Sequence, residues 1–316
     1  MIGRLRRVWL RGGVVALLVV GCDRPATPGA STSGDSARAT GAGVSTDAPA
    51  TTSGWDVAAG AFVVLPTVDG GLVSGSLLRP DATEMTVGDT TGIAAELGTG
   101  LVDLFSRAGA VGSAQLRVER APTMEEGCTA WPVARLTLQG ASSVTPWTAA
   151  FPAGRLTAMP LDSIEGASPR DSAALVARLA ALASALPDDT SGTFRALPFV
   201  TLRAWRMRAG ADGFVVATLV RRVNQEDDPR EERLVLVVDA PTDDVTGWRV
   251  GWHERAAGRE EELVVAEPLL AYRLAGRDDA HLLFGRDDGV ALGAAVLVRR
   301  GGVWRVQWES AVAGCD

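Results

Sequence analysis

The chain contains no lysine: all 31 residues of its Lys+Arg count are arginine. That excludes a lysine Schiff base, a phosphate-binding P-loop, a kinase-type lysine and a Ser-x-x-Lys acyl-transfer centre. Tyrosine and asparagine occur once each and isoleucine three times, so residues with A- and T-rich codons are scarce as a group. Only His253 and His281 supply imidazole, which rules out a three-histidine zinc site. His253-Glu254 opens an HExxH, but its last position is Ala257. No Gly-x-Ser-x-Gly elbow is present, and Gly98–Asp103 (GTGLVD) lacks the full dinucleotide fingerprint. These gaps remove the common enzyme signatures. They leave open a pair of carboxylates for glycoside hydrolysis, whose spacing is spatial and not sequential.

Basic residues gather where export signals need them. Arg4, Arg6, Arg7 and Arg11 precede a short apolar run, Val14 to Val20, too short for a permanent span. The run ends in Val19-Val20-Gly21-Cys22, which resembles the lipobox of bacterial lipoproteins. The resemblance covers about the first twenty-two residues and implies cleavage before Cys22, with acyl chains such as palmitate on that cysteine. Leu5–Arg11 (LRRVWLR) also resembles a twin-arginine export signal without its usual preceding polar residue. The expected location is the extracytoplasmic face of a membrane, with membrane lipid as the first partner.

Loss of residues 1–21 removes four arginines and no acid, taking the formal charge from −7 to −11. A surface this acidic repels nucleic acid, so no nucleic-acid partner is expected. Residues 23–54 are almost all Asp, Pro, Ala, Thr, Gly and Ser, a composition that cannot bury a core and reads as a tether. The expected plan is a signal peptide (1–21), an anchor and tether (22–54), and one composite β-rich domain (55–316) with sub-regions 55–190 and 191–316. Cys128 and Cys315 remain as an even pair in an oxidising compartment, and a disulfide is the default expectation. Closing a loop of 187 residues would contribute at most about 5 kcal/mol by chain entropy.

The fold class expected is α+β, mostly antiparallel β, with repeated β-meander units and two packed amphipathic helices. Phe62–Leu65 and Leu72–Leu78 read as a hairpin. A helix is expected from Asp89 to Gly109, with Ile93, Leu97, Leu101, Leu104 and Phe105 on one face. A second starts at Ser168-Pro169, carries Leu175, Leu179, Leu182 and Leu186 on one stripe, and stops at Pro187. From Phe199 the pattern is an antiparallel meander with a repeat. Trp248–Gly258 (WRVGWHERAAG) and Trp304–Gly314 (WRVQWESAVAG) match at six of eleven positions, and LVRR recurs at 219–222 and 297–300. This implies two three-stranded units, near 214–258 and 280–314, with a weaker third near 114–154, in a sandwich or a partial propeller.

Period-two alternation places Trp304, Val306 and Trp308 on one face, and the intervening valine argues for core against a sugar-binding platform. Asn224–Glu232 (NQEDDPREE) reads as a charged hairpin turn, lacking the ligand alternation of a calcium loop. No catalytic, metal or cofactor residue is assigned. The expected function is a non-catalytic binding or scaffolding domain for envelope protein or cell-wall polysaccharide; the alternative is an envelope hydrolase using paired carboxylates.

Overall fold

The computed structural model describes residues 56, 58–69, 72–78, 100–119, 128, 131–139, 146–187, 192–208, 212–223, 228–241, 244–287 and 292–310. All lie in the unit formed by 43–316. Six strands come first: β1 (Phe62–Asp69), β2 (Leu72–Leu78), β3 (Leu101–Ser106), β4 (Gly109–Glu119), β5 (Val133–Leu138) and β6 (Ala149–Pro152). They close an antiparallel barrel in the order β1-β2-β5-β4-β3-β6. Alternation decides which side chains fill it. Val63, Val73, Leu77, Val102, Leu104 and Trp147 point inward, while Phe62, Val64, Phe105 and Phe151 point out onto the next layer.

Two expectations fail in this region. The helix expected over 89–109 is strand where described: Leu101–Ser106 is β3, and 79–99 lie outside the described residues. Val102 and Leu104 are buried and Leu101 is exposed, the two-residue period of a strand. The apolar residues at 101, 104 and 105 satisfied a helical template as well, and sheet pairing decided between them. Likewise, 114–154 is not a third meander unit, because β4, β5 and β6 belong to the barrel.

After the barrel come β7 (Leu156–Ala158), β8 (Asp162–Ser163) and α1 (Pro169–Ser184). This helix begins as expected, with Ser168 Oγ accepting from the Asp171 amide at 3.3 Å and Pro169 in the first turn. Eight strands follow: β9 (Val200–Met207), β10 (Phe214–Val223), β11 (Arg230–Asp239), β12 (Arg249–Arg259), β13 (Val265–Leu274), β14 (Ala280–Asp287), β15 (Leu292–Arg300) and β16 (Val303–Glu309). They form two five-stranded sheets, β12-β11-β10-β9-β8 and β16-β15-β14-β13-β7.

The same strand order twice is the structural form of the repeat. Each unit is a four-stranded meander with one short added strand, not three strands, and the Trp motif falls at its last strand. The LVRR match belongs to no equivalence, since 219–222 lie in the second strand of one unit and 297–300 in the third of the other. The two sheets stack on a shared core that includes Trp205, Phe214, Val237, Leu282, Phe284 and Trp304. Two meander sheets packed face to face agree with the sandwich-like expectation, and a partial propeller is not confirmed by the described residues.

The layers run α1, the β8–β12 sheet, the β7/β13–β16 sheet, and the barrel. Helix residues Leu175, Leu179 and Ala183 cover one face of the first sheet, against Ala217, Leu236 and Trp248. At the other side of the stack Phe62 stacks on Phe151 at 5.2 Å and meets Trp308 edge-on at 5.7 Å. Polar bonds cross this seam too: Trp131 Nε1 donates to Leu292 O (3.1 Å) and Thr148 Oγ1 to Leu269 O (2.6 Å).

The two Trp motifs are core, with Trp248 1%, Trp304 3% and Trp308 6% exposed. Their alternation, however, is broken. In β16 the register jumps between Val296↔Trp308 and Leu297↔Val306, leaving Gln307 as the extra residue of a β-bulge. Trp304 and Val306 therefore face the sister sheet, while Trp308 turns to the barrel. In β12 the jump between Val237↔Trp252 and Val238↔Val250 makes Gly251 the extra residue at the equivalent place. There a Cβ would meet Trp304 Cδ1 at 2.6 Å, so the bulge of one repeat is shaped to receive the indole of the other.

Two substitutions test this packing in urea unfolding. Trp308→Ala is expected to cost about 3–5 kcal/mol, and Gly251→Ala about 1–3 kcal/mol by forcing Trp304 aside. A wild-type midpoint for Trp308→Ala would contradict the burial, and one for Gly251→Ala the interlock.

Candidate functional site

With lysine absent, every ion pair in the described residues is made by arginine, and the pairs gather in the β-sandwich. At the end of the stack where β10 turns to β11, carboxylates and guanidinium groups fill the mouth between the sheets. Glu231, 1% exposed, accepts from Arg222 at 2.5 Å and from Arg233. Burial alone would raise its pKa; the hydrogen bonds from Arg233 and Arg222 outweigh that and hold the carboxyl below its ordinary range. Arg286 of β14 reaches two carboxylates, Glu254 of β12 at 2.5 Å and Glu309 of β16 at 2.9 Å. Glu267 of β13 takes Arg203 of β9 at 3.0 Å and Arg107 of the β3–β4 turn at 2.6 Å.

Arg107 does the most varied work of these. Its guanidinium lies 5.0 Å over the Trp205 ring and its Nε donates to Pro268 O at 2.6 Å, so it pins the barrel to both sheets. Burial lowers its pKa, opposed by Glu267. The other end of the stack is tied by Arg299 to Asp239 at 3.1 Å, with Trp304 Nε1 donating to the same carboxylate oxygen at 3.2 Å.

A second network lies on the helix side of the first sheet. Glu232 is fully buried and pairs with Arg221 Nε at 2.6 Å and Arg255 Nη1 at 3.0 Å. Arg221 lies against Phe199 (4.7 Å) and Phe194 (5.8 Å). The run 224–232 is thus only partly the charged turn expected. Residues 224–227 lie outside the description, Asp228 pairs with Arg230 (2.8 Å) and Arg259 (3.0 Å), and Glu231 and Glu232 are strand residues in the interior. A signal for this was present. Arg221-Arg222 and Glu231-Glu232 sit symmetrically about the turn, so a hairpin must oppose them, and the register pairs Arg221 with Glu232 and Arg222 with Glu231.

Of the residues singled out from sequence, Cys22 and Cys315 lie outside the described residues. Cys128 is half-buried in the connection between β4 and β5 and is not a free thiol. His253 and Glu254 are neighbours on a strand, so their side chains leave opposite faces and share no site. His281 is on the other sheet, stacked on Tyr272 at 5.0 Å, with Nδ1 3.1 Å from Asp279 O. Among the described residues, no group of three or more His, Cys, Asp or Glu is placed to hold a metal ion. No described helix is long and apolar enough to cross a membrane.

No family model, no curated protein and no solved structure matches the chain.

His281 gives a pH prediction. Its Nδ1–H donates to a carbonyl, which leaves Nε2 bare and buried without a partner. Burial is the main cause holding its pKa below 6.5, with the Asp279 carbonyl opposing. The unfolded ring, at about 6.5, binds protons that the folded ring refuses, so stability falls as pH drops from about 6.5 toward the lowered folded value. His281→Phe, which keeps the stack on Tyr272, should remove most of that fall in thermal melts. His253, lowered by burial and by Arg255, should supply the remainder. An unchanged pH profile in His281→Phe would refute the assignment.

Proposed function

We propose that the chain is an envelope lipoprotein, anchored by acyl groups on Cys22, whose β-rich domain binds or scaffolds other envelope components without catalysis. One observation carries the non-catalytic part. Two carboxylates on facing edge strands that a paired-carboxylate mechanism could draw on, Glu254 and Glu309, are both held by Arg286. Glycoside hydrolysis needs both carboxylates open to the substrate, and here each is engaged by the same guanidinium. The pair instead joins the edge strands β12 and β16. A Cys128–Cys315 disulfide belongs to the same reading. It would fasten the residues after β16 to the barrel and suits a chain exported to an oxidising compartment.

Expressed in a bacterial host, the wild-type protein should partition into detergent, and Cys22→Ser should remain in the aqueous phase or stay unprocessed. A mature N-terminus other than Cys22 would end the lipoprotein reading. For the domain, the purified protein should co-sediment with insoluble wall polysaccharide, or crosslink to an envelope protein, without releasing new reducing ends. Release of reducing ends that is lost in Glu254→Gln/Glu309→Gln would instead establish the paired-carboxylate hydrolase.

A further inference from the structure

We propose that the open edge of β9, at residues 200–203, is a docking site for an extended peptide of another envelope protein, one that carries carboxylates beside apolar side chains. The inference deepens the binding reading above and rests on it. The two sheets have one strand order, so β9 and β13 hold equivalent places, each flanked by a short added strand. Their outer edges are finished differently. β7 pairs with residues 272–274 of β13, and beyond it further carbonyls of that edge are taken. Met159 N donates to Ala271 O at 2.7 Å, Thr148 Oγ1 to Leu269 O at 2.6 Å and Arg107 Nε to Pro268 O at 2.6 Å. In the sister sheet β8 pairs only with Trp205 and Arg206 of β9. At Ile164 the chain leaves that lane for a 3₁₀ turn and then α1. Residues 200–203 pair with β10 on one side, and no described hydrogen bond takes their backbone groups on the other.

An unpaired strand edge is a template for another strand, and proteins commonly cover it or guard it with charge. Here apolar side chains lie along it. Val200 is 58% exposed and Leu202 42%, two of the five large apolar side chains exposed among the described residues. A β-bulge makes Leu202 the extra residue between Thr218↔Arg203 and Leu219↔Thr201, so the ladder to β10 does not hold it. A strand laid along this edge would bond its main chain to the open groups and cover both side chains.

Charge selects the partner. From residue 192 to 208 the chain has four arginines, at 195, 203, 206 and 208, and no acid, although acids outnumber arginines 38 to 31 overall. Glu267 is the carboxylate that reaches Arg203, at 3.0 Å, and it also holds Arg107 at 2.6 Å. Two guanidinium groups against one carboxylate leave a surplus positive charge beside Leu202. Arg203 is 63% exposed, so a peptide carboxylate can reach the donors that Glu267 does not engage. A second copy of this chain fits poorly, because antiparallel pairing of β9 with itself would set both surplus charges on one short ladder. A neutral apolar strand would leave the charge unanswered.

The full chain, held in phosphatidylcholine vesicles, is titrated with acetyl-Glu-Val-Glu-Val-Glu-Val-Glu-amide and followed by anisotropy of a dye on the peptide and by amide hydrogen exchange. Binding should saturate and slow exchange at residues 200–203 while β13 stays unchanged. Val200→Glu/Leu202→Glu, at two exposed positions, should weaken binding at least tenfold with an unaltered melting temperature. Val303→Glu, exposed on β16, should leave it as it was. The same peptide with Lys for Glu should bind at least tenfold more weakly, and Arg203→Glu should reverse that preference. No saturable binding, or equal binding of both peptides, would overturn the site. Protection of residues 200–203 by phosphatidylglycerol vesicles without peptide would assign the edge to a lipid surface instead, and protection that grows with protein concentration would assign it to a second copy. A crosslink to an envelope protein that persists in Val200→Glu/Leu202→Glu would sink this site and leave the binding reading standing.

Discussion

Strands β14 and β15 have water on neither face, and the rest of the architecture depends on that. Along Ala280–Gly285 and Gly293–Val298 every residue is buried. Leu283 and Val296 face the barrel, while Leu282 and Leu297 face the sister sheet. A sheet apolar on both sides cannot exist without a cover on each side. The barrel and the β8–β12 sheet are those covers. Separating either would expose a broad apolar face.

Duplication alone would give two identical sheets, yet each has a different job. The first is covered by a helix and the second by a barrel. The bulges at Gly251 and Gln307 reconcile one motif with both settings by sending its two tryptophans to opposite faces. In the first sheet Trp248 goes under α1 and Trp252 toward the shared core; in the second Trp304 enters that core and Trp308 the barrel seam. Charge closes the ends where apolar packing stops. Arginine suits the task because its fork reaches two carboxylates at once, as Arg286 does, whereas lysine offers a point charge. Exposed ion pairs contribute little stability, but buried ones such as Arg221–Glu232 are costly to break from one side. They set register and alignment between layers.

Local signals in the sequence were mostly sound. Ser168-Pro169 capped the helix as read, β1 and β2 paired as a hairpin, and the Trp repeat marked a strand order that occurs twice. What failed needed knowledge of partners. Leu101, Leu104 and Phe105 fit a helical stripe and a strand equally, and only the closing of the barrel around β6 decided for strand. Alternation through WRVQW put both indoles on one face because a bulge leaves no sure mark when its extra residue is glutamine. At Gly251 the glycine was a hint, and its cause, Trp304 of the other unit, is distant in sequence. The charged mouth was legible only as symmetry of Arg-Arg and Glu-Glu about a turn. Arg107, Arg203 and Glu267 gave no such sign, since three separate elements bring them together.

The central claim is that the doubly covered sheet holds the barrel and the sandwich in one cooperative unit. Native-state hydrogen exchange across a denaturant series tests it most directly. The account predicts that amides of β14 and β15 exchange only by global unfolding. Amides at the barrel seam in β1 and β6, and in the sister strands β10 and β11, should converge on the same free energy. Barrel amides that exchange through a separate, lower-energy opening while β10 to β15 stay protected would contradict it and divide the stack into independent folding units.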